Sequence, residues 1–132
     1  MCRLLTVRSQ SRFAIQPHLE NLAHIAENSK EYQGHGWGCA YLDEAAGWKF
    51  YKNINPIWED DFSRFGKTAL LVTHARSAFE DRDIVIENNM PFFDGRTVFI
   101  SSHLLSDLER IVDRIALIDA GKLILHENLE EL

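Results

Sequence analysis

The second residue of the chain is a cysteine, and this position is the first feature that could do chemistry. Removal of Met1 would leave Cys2 with both a thiol and a free α-amine, whose ordinary pKa is about 8. Such an amine can act as the general base for its own nucleophile. The sequence therefore offers Cys2 as a candidate nucleophile, and a second-position cysteine without function is the alternative.

Four motifs occur along the first part of the chain. In chain order they are Met1-Cys2-Arg3-Leu4-Leu5, Gly36-Trp37-Gly38-Cys39-Ala40-Tyr41, Thr73-His74-Ala75-Arg76-Ser77-Ala78 and Glu87-Asn88-Asn89-Met90-Pro91-Phe92. In order and rough spacing they resemble class II glutamine amidotransferases, members of the N-terminal-nucleophile hydrolase superfamily, over about residues 1–96. The resemblance implies an N-terminal cysteine that attacks the side-chain amide of glutamine, forms a thioester and releases ammonia.

The resemblance also implies roles for individual residues. Cys2 would be nucleophile and general base, and Arg76 would hold the α-carboxylate of glutamine by a two-pronged contact that suits a guanidinium. His74, Trp37 and Gly38 would belong to the same substrate-binding site. Structural alternatives stay open: a surface arginine, a histidine at a strand end, and a tryptophan and glycine that serve packing.

The sequence departs from the amidotransferase pattern after the first 96 residues. The family has an Asn-Gly pair that stabilises the negative oxygen of the tetrahedral intermediate, and this chain contains no Asn-Gly pair. Losing one such donor typically raises the barrier by roughly 3 to 4 kcal/mol. We therefore expect weak glutaminase activity or none.

The last part of the chain resembles a different family. Thr97-Val98-Phe99-Ile100-Ser101-Ser102-His103 and the residues after it, over about residues 96–132, look like the C-terminal end of an ABC transporter ATP-binding subunit. That resemblance implies that His103 contacts the γ-phosphate of ATP and that the partner is a transporter membrane subunit. Gly66-Lys67-Thr68 imitates the end of a phosphate-binding loop, but Asp61 stands where that loop needs its first glycine. His103 as a polar residue at a strand-to-helix junction is the structural alternative.

Composition narrows the function classes. The formal charge of −6 and pI near 5.4 give no field that attracts nucleic acid or anionic lipid. No apolar run reaches the roughly 20 residues needed to cross a bilayer, so we expect a cytoplasmic protein without membrane insertion. Cys2 and Cys39 are then expected to stay reduced.

The amidotransferase resemblance implies glutamine or a related small amide as the ligand. An acceptor or synthase subunit is the expected partner, and no metal or cofactor is predicted. A non-catalytic interaction module is the alternative if Met1 stays attached.

Periodicity predicts the elements that must position these residues. Strands are expected over residues 3–8, 39–42, 48–51, 68–74, 97–101, 115–118 and 122–125; helices are expected over residues 17–31 and 56–65 and from Ser106, with a loop over residues 79–95. The expected fold is α+β, a partial helix/sheet/sheet/helix sandwich of the N-terminal-nucleophile hydrolase kind with a C-terminal helix and β-hairpin. The two resemblances divide the chain into residues 1–96 and 97–132, and the second part is not expected to be an independent domain.

Overall fold

A computed structural model describes residues 2–78, 83–101, 108–109 and 111–129 of the 132-residue chain. The chain divides into two compact units, Met1–Ser101 and Ser102–Leu132, which are described separately. The first unit holds the residues of the amidotransferase resemblance. The second holds most of the ABC-like segment.

The first unit is built on a four-stranded antiparallel sheet with the order β1-β4-β2-β3. Its strands are β1 (Arg3–Ala14), β2 (Trp37–Asp43), β3 (Gly47–Asn53) and β4 (Lys67–Ala75). The structure confirms the corresponding four predicted strands. β4 lies between β1 and β2 and most of its length is buried or half-buried, as expected for an inner strand with a near-continuous apolar sequence.

Strand β1 is longer than predicted. The sequence places its end at Arg8, before the polar cluster Ser9-Gln10-Ser11, but the strand continues to Ala14. The register against β4 shifts between Arg8 and Phe13, so the polar residues form an irregular stretch at the sheet edge. An edge strand tolerates such a stretch because one side of it faces solvent.

One helix, α1 (Gln16–Glu27), covers one face of the sheet. Pro17 lies in its first turn, where a missing N–H costs no hydrogen bond. The apolar side of α1 is buried and packs with sheet residues of the core, which include Cys39, Leu71 and Ala75. The predicted helix over residues 17–31 is therefore confirmed, although it ends four residues earlier, at Glu27.

The predicted helix over residues 56–65 is wrong. Only a 3-10 turn forms there, over Ile57–Glu59. Asp60 leaves the turn in an extended conformation, with φ −93° and ψ 156°. Its Oδ2 accepts hydrogen bonds from Trp37 Nε1 at 3.1 Å, Tyr51 Oη at 2.8 Å and Asn53 Nδ2 at 2.9 Å. These bonds to the sheet replace the helical ladder.

The other face of the sheet is partly covered by residues 83–101. This segment contains a 3-10 turn over Ile86–Asn88 and a small pair of strands, β5 (Phe92–Phe93) and β6 (Val98–Phe99). The ring of Phe93 stacks on Phe50 of β3 with 4.5 Å between centroids. The predicted loop therefore holds short ordered elements, and the strand predicted over residues 97–101 is present but shorter.

The described part of the second unit contains a β-hairpin of β7 (Arg114–Asp119) and β8 (Lys122–Asn128). Ala120 and Gly121 form its turn with φ values of 48° and 77°, the conformation of a type I′ hairpin. Both predicted strands and their turn are confirmed. Of the helix predicted from Ser106, the structure describes Leu108 as helical, and Val112 N–H donates to the Leu108 carbonyl at 3.1 Å. Residues 106–107 and 110 of that prediction, and His103, lie outside the described residues.

The structure confirms an α+β protein that is mostly strands, with α1 as the α-helix of the first unit. A helix on one face and a two-stranded sheet near the other do not establish the helix/sheet/sheet/helix sandwich. That finer architecture stays a prediction.

The Asp60 contacts predict a pH-dependent stability. Burial alone would raise the pKa of Asp60, but hydrogen bonds from Tyr51, Asn53, the Asp61 N–H and Trp37 together lower it. A carboxyl with a lowered folded-state pKa stabilises the fold above its unfolded pKa of about 4, and this contribution is lost as pH falls through the folded value. We expect Asp60→Asn to lower the free energy of unfolding at pH 7 by about 1–3 kcal/mol. The amide NH2 group of asparagine is a donor, and it would face the donors of Trp37, Tyr51 and Asn53.

The measurement is urea unfolding of the parent and variant from pH 7 to pH 3. Glu59→Gln is the matched control, because Glu59 is the exposed neighbouring acid. The difference between the parent and Asp60→Asn should shrink below pH 4. A difference that is equal at every pH would refute the assigned role of the ionised carboxylate.

Candidate active site

The pairing of β1 with β4 brings Cys2 close to the segment around Arg76. The last pair of the ladder is Arg3 with Ala75, so Cys2 and Arg76 are the next residues beyond this end of the two strands. The exposed Cys2 Sγ lies 3.3 Å from the backbone N of Ser77, which donates to it, and 3.5 Å from the Ser77 carbonyl oxygen. The predicted nucleophile and the predicted carboxylate-binding residue thus share one end of the sheet.

Backbone hydrogen bonds hold the segment that follows β4. Arg76 N–H donates to the carbonyl of Gly36 at 2.9 Å, and His35 N–H donates to the carbonyl of Arg76 at 3.1 Å. Ala78 N–H donates to His35 Nδ1 at 3.0 Å. The backbone beside Cys2 is therefore fixed by the glycine-rich bend before β2, which gives this bend a positioning role.

Arg76 is almost buried, with 7 % of its surface exposed. Its Nη1 donates to the backbone oxygen of Asp83 at 3.4 Å. Near-complete burial and this contact restrict the orientation of the guanidinium. Its use by a substrate stays a prediction.

His74 lies two residues before Arg76 on β4 and is 2 % exposed. Neither ring nitrogen has a hydrogen-bond partner in the described part of the chain. Burial, and then the charge of Arg76, lowers the pKa of His74 to about 4. The imidazole is therefore neutral at pH 7, where its unprotonated nitrogen could accept a hydrogen bond.

The contacts of Trp37 are those of a core residue. Its side chain is fully buried and packs edge-on against Phe62 and Phe65, while its Nε1–H donates to Asp60. Trp37 also pairs with Ala75 across β2 and β4, the same residue that pairs with Arg3. Trp37 therefore packs in the core beside this end of the sheet, and its use by a substrate stays a prediction.

Gly38 permits a close approach of the loop before β5. A Cβ at this position would overlap the backbone oxygen of Met90. The neighbouring Asn89 is fully buried, and its Nδ2 donates to the carbonyl of Asn53 at 2.9 Å. Gly38 and the Asn-containing motif thus dock a loop onto the sheet in this structure. The sequence analysis includes Asn89 in a motif of the resemblance but assigns it no role, because nothing local marks it as an anchor.

An open cavity of about 650 Å³ adjoins Cys2. Cys2 and Arg3 line it from the start of β1, and the end of α1 and the following segment contribute His24, Asn28, Lys30 and Gln33. Arg76 and His74 are not among its lining residues. The sequence did not reveal these cavity residues, since no motif links the end of a helix to the start of a distant strand.

Cys39, the second cysteine, is buried in the core. Burial raises the pKa of its thiol to about 12. It is therefore a neutral core thiol at pH 7, whereas Cys2 is exposed. Over the described ranges, no group of three or more His, Cys, Asp and Glu side chains is arranged to hold a metal ion.

Comparison with known proteins gives one short similarity. No protein-family model matches the chain. A stretch of 38 residues, 29% of this chain, is 47% identical to an uncharacterized ABC transporter ATP-binding protein of Nostoc sp.. The match spans 11% of that protein's length. This supports a short ABC-like segment, and neither comparison supports the amidotransferase resemblance. Within the part of the chain that the structure describes, no helix is long and apolar enough to cross a membrane.

The close approach at Gly38 predicts the effect of one added methyl group. Gly38→Ala should displace the loop at Met90 and lower the free energy of unfolding by about 1–3 kcal/mol, the range for overpacked sites. Gly66→Ala is the matched control, since a Cβ at Gly66 meets nothing within 4 Å. Thermal unfolding measures both. Equal midpoints for the two variants would contradict the docking role of Gly38.

Proposed function

We propose that the first unit is an amidohydrolase of the class II glutamine amidotransferase kind, with Cys2 as its nucleophile and Arg76 as its substrate anchor. The observation that carries this proposal is the antiparallel register of β1 and β4, which puts Cys2 beside Arg76 and Ser77. The two predicted residues are 74 positions apart in the sequence, so local pattern alone does not explain their proximity.

The proposed reaction uses groups that this chain carries. After removal of Met1, the α-amine of Cys2 takes the thiol proton while sulfur attacks the amide carbon. The carbon–nitrogen bond breaks, nitrogen leaves as ammonia with that proton, and a thioester remains. Water then cleaves the thioester to glutamate and restores the thiol. The missing Asn-Gly donors make this turnover slow, by the roughly 3 to 4 kcal/mol that such a donor usually supplies.

The test is ammonia release from glutamine by the full chain. We expect slow release that Cys2→Ala abolishes, and Arg76→Lys should raise KM about 10-fold, since lysine cannot make a two-pronged contact. Cys39→Ala is the matched control because it removes the other thiol, which is buried and neutral. Intact mass must first show that Met1 is absent. Equal rates for the parent and Cys2→Ala would refute the nucleophile assignment.

The second candidate function is that of a scaffold segment from an ABC transporter ATP-binding protein. The 38-residue similarity favours it, and its length is close to that of the ABC-like segment. Of the two candidates, only this one has support from the comparisons. It would place a nucleotide at His103 and a membrane subunit as the partner.

An ATP titration separates the candidates. We expect no saturable binding by this chain, since the sequence lacks a phosphate-binding loop before Gly66. The measurement is isothermal titration with ATP and Mg²⁺, repeated with His103→Ala. Saturable binding by the parent that His103→Ala removes would favour the transporter candidate over our expectation.

A further inference from the structure

The cavity next to Cys2 has the size of a small-molecule site. Its volume of about 650 Å³ lies within the roughly 300–1,000 Å³ that such sites usually have. Its lining comes from the start of β1 and from the end of α1 with the segment after it. Arg76, the anchor in the proposed hydrolysis, does not line it. The cavity can therefore hold a ligand other than the glutamine of that reaction.

The charged side chains of the lining favour an anion. Arg3 and Lys30 are exposed, and neither side chain makes an ion pair or hydrogen bond with another residue of the described ranges. Glu31 is the acidic residue of the lining, and it takes part in a further interaction. The two cations are therefore available to an anionic ligand, which they can bind by charge-assisted hydrogen bonds.

Neutral donors lie in the same lining. Asn28 Nδ2 lies 3.3 Å from His24 Nδ1, and because an amide nitrogen donates, Nδ1 is the acceptor. The proton of the neutral imidazole is then on Nε2. Ser29 Oγ accepts from Nε2 of the buried Gln33 at 3.1 Å, which leaves the hydroxyl hydrogen of Ser29 for another acceptor. His24 and Ser29 can each donate one hydrogen bond to an anion.

The end of α1 does not oppose an anion there. A helix C-terminus carries partial negative charge on its last carbonyls. Here the His24 carbonyl accepts from both the N–H and the Nδ2 of Asn28, at 3.2 and 2.8 Å, and the Ala26 carbonyl accepts from Ser29 N–H at 3.3 Å. Because these carbonyls are capped, the side-chain cations set the charge of the cavity.

The donors of the lining suit a phosphate group better than a carboxylate. One guanidinium can satisfy both oxygens of a carboxylate. A phosphate monoester has three terminal oxygens and about two negative charges at pH 7, so it uses more donors and a second cation. Arg3 offers a planar fork of donors and Lys30 a compact charge, and both side-chain types commonly bind phosphate.

We propose that this cavity binds a phosphate group, either free or on a small metabolite, and that the bound group covers the thiol of Cys2. Two cations and two neutral donors are its contacts. The organic part of a phosphate ester can lie against Ile25, which lines the cavity and is 49 % exposed. The inference does not rest on the proposed hydrolysis, because it concerns access to a thiol and includes no chemical step.

Protection of Cys2 from alkylation tests the inference on the full chain. Iodoacetamide labels the exposed Cys2, whereas Cys39 is buried and its pKa is raised to about 12. We expect ribose 5-phosphate to slow this labelling about 3-fold or more, in a saturable way, and ribose to leave the rate unchanged. Because the cavity is open, half-maximal protection is expected in about the millimolar range. Intact mass measures labelling at constant ionic strength, and Cys2→Ala gives the background.

Substitution of Lys30 tests the assigned cation. Lys30→Gln should raise the concentration of ribose 5-phosphate for half-maximal protection about 5- to 10-fold. Lys67→Gln is the matched control, because it removes the same charge from the exposed first residue of β4, at the end of the strand away from Ala75. Arg3→Gln should act like Lys30→Gln, and it carries the test if circular dichroism shows that Lys30→Gln is not folded.

Further ligands separate the sources of the phosphate group. Protection by both inorganic phosphate and ribose 5-phosphate supports a site for the group itself, and protection by the ester alone supports a site for a phosphorylated metabolite. Equal protection by acetate at the same ionic strength overturns the phosphate assignment. Absence of protection by either phosphate compound overturns the inference, and so does an equal loss in the Lys30 and Lys67 variants, because bulk charge would then explain the effect.

Discussion

One buried carboxylate holds the first unit together. The Asp60 side chain collects donors from Trp37 in β2, from Tyr51 and Asn53 in β3, and from Arg64 in the loop before β4. A buried charge is tolerated only when it is paired and hydrogen-bonded, so these groups must stay together. Leaving any of these groups unpaired would cost free energy. The hydrogen bonds to Asp60 therefore hold the loop between β3 and β4 in one position on the sheet.

The Asp60 network is linked to the candidate site by one row of paired residues across β2, β4 and β1. Trp37, which Asp60 binds, pairs with Ala75, and Ala75 pairs on its other side with Arg3. Cys2 and Arg76 are the next residues beyond this row. The Asp60 network and the segment around Cys2 are therefore connected through the backbone ladders of the sheet.

The surroundings of Cys2 differ in burial and in charge on its two sides. On one side a nearly buried guanidinium and a neutral buried imidazole lie close together on β4 and its continuation, where water has little access. On the other side is an open cavity lined mainly by exposed side chains, most of them polar. Electrostatic contacts are stronger where water is excluded.

The sequence by itself determined the element types wherever apolar spacing was regular: four strands of the sheet, α1, and the last hairpin with its Ala120-Gly121 turn. It wrongly predicted a helix over residues 56–65, although Ile57, Phe62 and Phe65 do enter the core. Hydrophobic spacing gives no information about a carboxylate, that of Asp60, which binds side chains of β2 and β3. It also proposed Cys2 and Arg76 but not the cavity residues His24, Asn28 and Lys30. Only the tertiary structure decided those neighbours, because strand pairing and helix docking join segments whose local patterns carry no record of each other.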